Sequence, residues 1–292
     1  MNKVGKCSIC GKEDRLTFEH IPPRSANNNI ETRVLTGNSF IKLVTSSDRL
    51  PWDYDGLEYE ILQKGNGLYS LCESCNNITG AYYGNEYVKI AKSIASFFVN
   101  NKDKFVKAGG ASIKIDFYPQ RFIKQVLSMF CSTTVGLNER YPVIKDLLLE
   151  KEMMLNDYDF KVSLFYLKTE KYGYSGPICS CSKKFGVRMF SELDLFPFGF
   201  VFDYDKNIDD DSMVDITSFL SYKYDEKDTM TIIAPIYERV MPFSLDFRSK
   251  EQFLNTLSKN NIKWQRYFHT PLFNSRHFSR YNIRYSNETC IV

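Results

Sequence analysis

The chain contains 292 residues, of which 43% are hydrophobic and 25% are charged, and this composition excludes wholesale disorder. The net charge of +3 is too small to indicate nucleic-acid binding by itself. No apolar run approaches the roughly 20 residues of a membrane-spanning helix, and the N-terminus leads into a cysteine pair rather than a signal segment. We therefore expect a cytoplasmic protein without membrane contacts.

Helical patterns dominate the first half of the chain. Apolar residues follow helical spacing over about residues 74–98, and a kink is expected around Gly80 and Gly84. Two further helices are predicted at residues 119–131 and 142–153. Each of them begins with a proline, which suits the first turn of a helix.

After Asp157 the apolar pattern changes to a period of two, which is typical of β-strands. The predicted strands lie at residues 160–166, 187–190, 195–202, 214–224 and 229–237. A last helix is predicted at residues 249–258. Together these elements predict an α+β fold with a mainly antiparallel sheet, divided into domains at residues 1–100 and 101–292.

Four of the eight cysteines form two C-x2-C pairs, Cys7 with Cys10 and Cys72 with Cys75. In a reducing compartment such pairs indicate a zinc site rather than disulfides, and zinc takes four thiolates in a tetrahedron. Gly11 suits the tight turn after the first pair, where a positive φ is often required. The pattern predicts one structural Zn²⁺ held by all four residues. The alternative is four ordinary reduced thiols.

An acid, a histidine and an amide lie close to these pairs in the sequence. A short strand is predicted at residues 17–22, containing Glu19 and His20, and Asn76 follows the second pair directly. A shared zinc site would bring these residues together, and carboxylate and amide oxygens suit Mg²⁺ or Mn²⁺. The alternatives are a surface carboxylate for Glu19, a packed or zinc-associated histidine for His20, and a helix cap for Asn76.

The order C-x2-C, Glu-His-Ile-Pro and C-x2-C-Asn resembles the zinc-knuckle form of the HNH endonuclease family, over about residues 5–92. The resemblance implies a zinc-stapled, treble-clef-like ββα-metal unit that holds one divalent ion. It implies that Glu19 and Asn76 bind a catalytic Mg²⁺ or Mn²⁺ and that His20 is the general base. The implied activity is hydrolysis of phosphodiester bonds in nucleic acid, with DNA favoured, in phage defence or restriction.

Two features depart from the family pattern. The family's middle asparagine usually precedes the helix residue by nine positions, and that position is Gly67 here. Asn66 beside it is therefore expected to take the supporting role. The separation between the histidine and the helix asparagine is also longer than in the family. It predicts an insertion at about residues 24–64, with strands around residues 41–44 and 59–62, that could carry target recognition.

Phosphate binding needs cations, and the nuclease-like segment itself is nearly neutral. The candidate nucleic-acid-binding residues within it are Arg24, Lys89 and Lys92. We expect further cations to fold back beside the site, either Lys102, Lys104 and Lys107 or the segment 266–284. The C-terminal domain could also mediate homo-oligomers or bind a partner protein. The alternative is that the protein binds nucleic acid through the same zinc-dependent, HNH-like unit but has no catalytic activity.

Overall fold

A computed structural model describes residues 3–46, 49–101, 109–168, 172–182, 186–206, 212–240 and 244–260. The α-helices are α1 (Gly37–Thr45), α2 (Glu73–Thr79), α3 (Asn85–Asn100), α4 (Pro119–Thr133), α5 (Leu137–Arg140), α6 (Pro142–Leu149) and α7 (Lys250–Asn260). A π-helical turn spans Gly80–Gly84 and a 3-10 helix spans Thr217–Ser221. Within these ranges no helix has the length and apolar character needed to cross a membrane.

The strands assemble into one large and two small sheets. They are β1 (Lys3–Lys6), β2 (Glu13–His20), β3 (Thr32–Leu35), β4 (Tyr59–Leu62), β5 (Gly67–Cys72), β6 (Gly110–Phe117), β7 (Lys161–Leu167), β8 (Tyr172–Ser182), β9 (Gly186–Leu195), β10 (Phe198–Asp203), β11 (Val214–Asp215) and β12 (Asp228–Tyr237). The small sheets are β1-β2-β5 and β3-β4. The described strands of the large sheet run β6-β12-β7-β10-β9-β8, with β11 also paired to β7. Only the short β12–β7 contact is parallel among these pairs, so the mixed α+β class and the mainly antiparallel sheet are confirmed.

The long helical predictions agree with the structure. The pattern over residues 74–98 becomes α2, the π-helical turn and α3, so the chain stays helical through both glycines. Helix α4 begins at its predicted proline and extends two residues beyond the predicted end. Helix α6 also begins at its proline but ends at Leu149, which is earlier than expected.

Three strand predictions are wrong in whole or in part. The predicted strand at residues 195–202 contains a turn at residues 196–197, which separates β9 from β10. Residues 41–44 belong to α1, because apolar residues three apart, Phe40 and Leu43, are buried on one helical face. Of residues 214–224 only the first two form a strand. Asp215 ends it, since its carboxylate accepts hydrogen bonds from the backbone and hydroxyl of Thr217 and so starts a turn.

Helix α4 joins the first hundred residues, here called the N-terminal unit, to the large sheet. Its Phe122 stacks on Tyr87 of α3 at 5.8 Å and meets Phe198 of β10 edge-on at 5.4 Å. The buried apolar side chains form one continuous cluster from the first cysteine pair to β12. The core therefore crosses the predicted domain boundary at residue 100.

The segment predicted as an insertion, residues 24–64 and called the insertion below, contains β3, α1 and β4. Its own apolar core consists of Leu35, Phe40, Leu43 and Leu57. Beyond that core, Trp52 packs edge-on against Phe253 of α7, with ring centroids 5.6 Å apart. The insertion thus contacts the last described helix of the chain.

Candidate metal centre and active site

The four predicted zinc ligands lie together in space. The sulfur atoms of Cys7, Cys10, Cys72 and Cys75 are all within 4.8 Å of one another. The Cys10 and Cys72 sulfurs are 3.9 Å apart. Zn–S bonds of about 2.3 Å place the corners of a tetrahedron about 3.8 Å apart, so the cluster fits a zinc ion. Among the residues that the structure describes, it is the only group of three or more His, Cys, Asp or Glu ligands that could hold a metal.

Backbone hydrogen bonds shape the first pair into a knuckle. The Gly11 N–H donates to the Cys7 carbonyl at 2.9 Å, and Gly11 has φ of 74°, as the sequence predicts. The Ser8 N–H donates to the Ser70 carbonyl at 2.9 Å, which ties the knuckle to β5. Cys72 occupies the N-cap position of α2. An ion bound here would therefore join the knuckle, β5 and α2.

Contacts between the sulfurs separate the pKa values of the thiols. A hydrogen bond from the Cys75 thiol lowers the pKa of Cys7 to about 4, although burial opposes this shift. The same contact and then burial raise the pKa of Cys75, and burial raises the pKa of Cys72. A buried thiolate among thiols attracts a cation, and a bound metal allows the remaining thiol protons to leave.

Two buried asparagines fasten the loop that follows β2. The Asn66 side-chain amide donates to the Ile21 carbonyl at 3.1 Å, and the Ile21 N–H donates back to the Asn66 carbonyl at 3.0 Å. The Asn28 amide donates to the carbonyls of Pro22 and Asn66, at 2.6 and 2.7 Å, and its oxygen accepts from the Asn66 N–H at 2.7 Å. Asn66 thus makes backbone contacts of the kind expected of a supporting residue. Asn28 was not predicted from the sequence, because its partner Asn66 lies 38 positions away.

The glycines on either side of Asn66 leave no space for a side chain. A Cβ on Gly65, where φ is 89°, would lie 2.1 Å from the Asn28 carbonyl oxygen. A Cβ on Gly67 would lie 2.1 Å from the carbonyl oxygen of Glu19, in the strand opposite. Position 67 therefore has no room for an asparagine side chain. Asn66 beside it makes the hydrogen bonds to the loop instead.

His20 stands at the end of β2, half-buried and outside the sulfur cluster. Its Nε2 lies 2.9 Å from the Lys64 carbonyl oxygen, which accepts only from a protonated nitrogen, so Nδ1 keeps its lone pair. Burial lowers the pKa of His20 and the nearby positive charge of Arg24 adds to this, against the opposing Lys64 hydrogen bond. The imidazole is therefore neutral near neutral pH. The exposed Arg24 thus lies within electrostatic reach of this ring.

The Glu19 carboxyl is directed into the protein. It is 6% exposed, and its Oε2 accepts a hydrogen bond of 3.0 Å from the Ser132 hydroxyl of α4. Burial raises the pKa of Glu19 to about 8, and the Cys7 thiolate adds to the shift while Ser132 opposes it. The alternative of a surface carboxylate is wrong. Without a cation nearby, the Glu19 carboxyl is mainly protonated at neutral pH.

Asn76 lies within the first turns of α2 and is not its cap, so that alternative is also wrong. Its Nδ2 donates to the Thr17 hydroxyl at 3.0 Å, and that hydroxyl donates to the Leu71 carbonyl at 3.0 Å. The amide oxygen is the Asn76 atom suited to a hard cation, as is a Glu19 carboxylate oxygen. The two side chains nevertheless bond different partners, Ser132 and Thr17, and no described hydrogen bond links them.

The remaining candidate cations differ in their surroundings. Lys89 donates to the Asp116 carbonyl at 3.1 Å and therefore contacts the end of β6. Lys92 is exposed on α3. The two basic segments expected to fold back beside the site, residues 102–107 and 266–284, lie outside the described residues. Arg24 is the predicted phosphate-binding residue whose positive charge acts on His20.

Comparison of the chain with protein-family models, with curated proteins and with solved structures found no match. The resemblance to HNH endonucleases therefore depends on the motifs quoted above. The structure adds one local observation, namely that β2 and β5 pair antiparallel and that β5 leads directly into α2.

Replacing a cluster cysteine should remove bound metal and stability together, because a structural metal contributes to the folding free energy. We expect Cys72→Ala to lower the zinc content of the purified protein, measured by atomic emission, and to lower its thermal midpoint. The control is Cys131→Ala, which removes an equally buried thiol outside the cluster. Equal zinc content in the two variants would contradict the four-cysteine site.

Removing the Asn28 side chain should destabilise the loop after β2, because the buried Asn66 N–H loses its acceptor. We expect Asn28→Ala to lower the free energy of unfolding by about 1–3 kcal/mol, measured by urea denaturation. The matched control is Asn77→Ala at an exposed position of α2, where little change is expected. A similar loss of unfolding free energy in both variants would show that the Asn28 hydrogen bonds have no special role in stability.

Proposed function

We propose that this protein is a metal-dependent endonuclease of the HNH type, which hydrolyses phosphodiester bonds of nucleic acid. The observation that carries the proposal is the state of His20. Its Nε2 proton is held by the Lys64 carbonyl at 2.9 Å, burial lowers its pKa and so favours the neutral ring, and Nδ1 then keeps its lone pair. A general base needs such a lone pair on a ring of fixed orientation.

The reaction requires a water that loses a proton and a phosphate whose charge is stabilised. In the proposed mechanism His20 accepts the water proton through Nδ1. Arg24 donates hydrogen bonds to a phosphate oxygen, which is a charge-assisted contact. Asn28 and Asn66 hold the loop after β2 and so keep His20 and Arg24 in a constant relative position. The ring contact with Phe18, at 5.0 Å, supports the imidazole from one side.

Two metals belong to the proposal. The four cysteines hold a structural Zn²⁺, which fits the sulfur spacing. Glu19 and Asn76 would hold Mg²⁺ or Mn²⁺ through oxygen atoms, which requires that Glu19 leave Ser132 and lose its proton. Such an ion supplies positive charge to the phosphate and to the departing oxygen. DNA as the favoured substrate, and a role in phage defence or restriction, follow from the family resemblance alone.

The inward position of Glu19 favours a second candidate function. A carboxyl buried against Ser132 is not placed to hold a catalytic ion, which suits a zinc-dependent nucleic-acid-binding protein without activity. Both candidates predict binding that weakens with salt, since phosphate contacts release counterions. Binding therefore does not discriminate between them, whereas turnover does.

The test is incubation of the zinc-loaded protein with plasmid DNA and with RNA, in Mg²⁺, in Mn²⁺ and without an added divalent ion, followed on a gel. We expect metal-dependent cleavage that His20→Ala slows by about 100-fold or more, with zinc content and thermal midpoint unchanged. Absence of cleavage in every condition would favour the second candidate. Unfolding or zinc loss in His20→Ala would show that the histidine is structural.

Glu19→Gln provides the companion variant, because it keeps the shape of the side chain and removes its capacity to become a carboxylate. A neutral amide suits the buried position beside Ser132, so the fold should be retained. Loss of Mg²⁺-dependent turnover with normal zinc content would support a ligand role. Turnover at the wild-type rate would exclude Glu19 as a metal ligand.

A further inference from the structure

The outer face of the β2–β5 pair carries aromatic rings that the proposed mechanism does not fully use. Phe18 and Tyr69 are cross-strand neighbours, with ring centroids 5.3 Å apart. Phe18 also contacts His20, so the three rings form a row that ends at the candidate base. Tyr69 is 44% exposed. It therefore presents a ring to solvent beside the candidate active site.

A cavity of about 540 Å³ adjoins this row, and its lining includes Phe18, Tyr69, Arg15, Thr17 and Glu73. Its volume lies within the roughly 300–1,000 Å³ of small-molecule sites, which is ample for one nucleotide base with its sugar. Thr17, which borders the cavity, accepts a hydrogen bond from Asn76, whereas Asn76 itself is not part of the lining.

The lining combines ring faces with charges of both signs. The Lys3 ammonium lies 5.7 Å from the centre of the Tyr69 ring, and Arg15 lines the cavity itself. The Asp14 and Glu73 carboxylates line it as well, and they would repel a phosphate group. Carboxylates accept hydrogen bonds from the amino groups of bases, and aromatic rings stack on bases of any sequence. These properties suit a nucleobase better than a phosphate.

The geometry points to a binding site for an unpaired nucleobase, stacked on the exposed Tyr69 ring with Phe18 edge-on beside it, next to the scissile phosphate. The Phe18 ring centre lies 5.3 Å from that of Tyr69 and 5.0 Å from that of His20, so a base on Tyr69 has its backbone within reach of His20. The faces of a paired base are covered by its neighbours in the stack. The site therefore selects single-stranded or locally opened nucleic acid. This inference rests on the proposed nuclease function.

The test measures binding by fluorescence anisotropy, with zinc-loaded protein and no other divalent ion. The probes are a labelled single-stranded DNA oligonucleotide and its duplex. We expect the wild type to prefer the single strand, and Tyr69→Ala to weaken single-strand binding about tenfold with little effect on the duplex. Tyr69→Phe keeps the ring and should bind as the wild type does. A 2-aminopurine base in the single strand should lose fluorescence on binding to the wild type and keep it with Tyr69→Ala.

The matched control is Tyr59→Ala in β4 of the insertion. Tyr59 is 45% exposed and carries the Arg33 guanidinium 4.9 Å from its ring centre, so it resembles Tyr69 in exposure and in its cationic neighbour. We expect this variant to bind the single strand normally. Equal weakening in the two alanine variants, or no weakening in Tyr69→Ala, would overturn the inference.

Failure of the inference can be told apart from failure of the nuclease function. Wild-type cleavage that depends on His20 but is indifferent to Tyr69 would overturn the base site alone. Binding that depends on Tyr69, without cleavage in any metal, would support the base site and remove the nuclease function. A wild type that binds no single strand would overturn the base site whatever the cleavage result.

Discussion

The proximity of four sulfur atoms is the constraint on which the rest of the N-terminal unit depends. Cys10 and Cys72 are 62 positions apart in the chain, yet their sulfurs are 3.9 Å apart. Four thiolates at this spacing repel one another, so the cluster needs a cation to carry its full charge. A metal here joins the knuckle to the start of α2 and thereby fixes the position of β2, the strand between them in the small sheet. Three short strands have little apolar surface of their own with which to do this.

The two faces of strand β2 have different contacts and different proposed roles. Glu19 is directed inward, and Ser132 of α4 meets its carboxyl, so β2 is joined to the helix that packs on the large sheet. Phe18 and His20 are directed outward. The hydrogen bonds of Asn28 and Asn66 hold the loop that follows His20. Adjacent residues on a strand necessarily point to opposite faces. The proposed base and the proposed metal ligand therefore experience opposite environments, although they are neighbours in the sequence.

Local patterns predicted those parts of the structure that depend on neighbouring residues. The cysteine spacing, the positive φ of Gly11 and the prolines that begin α4 and α6 all belong to this class. Features set by distant contacts were not predictable in the same way. The burial of Glu19 depends on Ser132, 113 positions away, and the role of Asn28 depends on Asn66, 38 positions away. Residues 41–44 form an apolar run too short to distinguish a strand from a helix by its pattern. The segment is helical because Phe40 and Leu43 then pack together in the core of the insertion.

X-ray absorption spectroscopy at the zinc edge of the purified 292-residue chain tests the central claim, that the four cysteines form the metal site organising this unit. The account predicts one zinc per chain, surrounded by four sulfur atoms at about 2.3 Å and by no nitrogen or oxygen. Such a result would leave His20 free for the role proposed here. A zinc ion with a nitrogen ligand, or a folded chain that holds no zinc, would contradict the account.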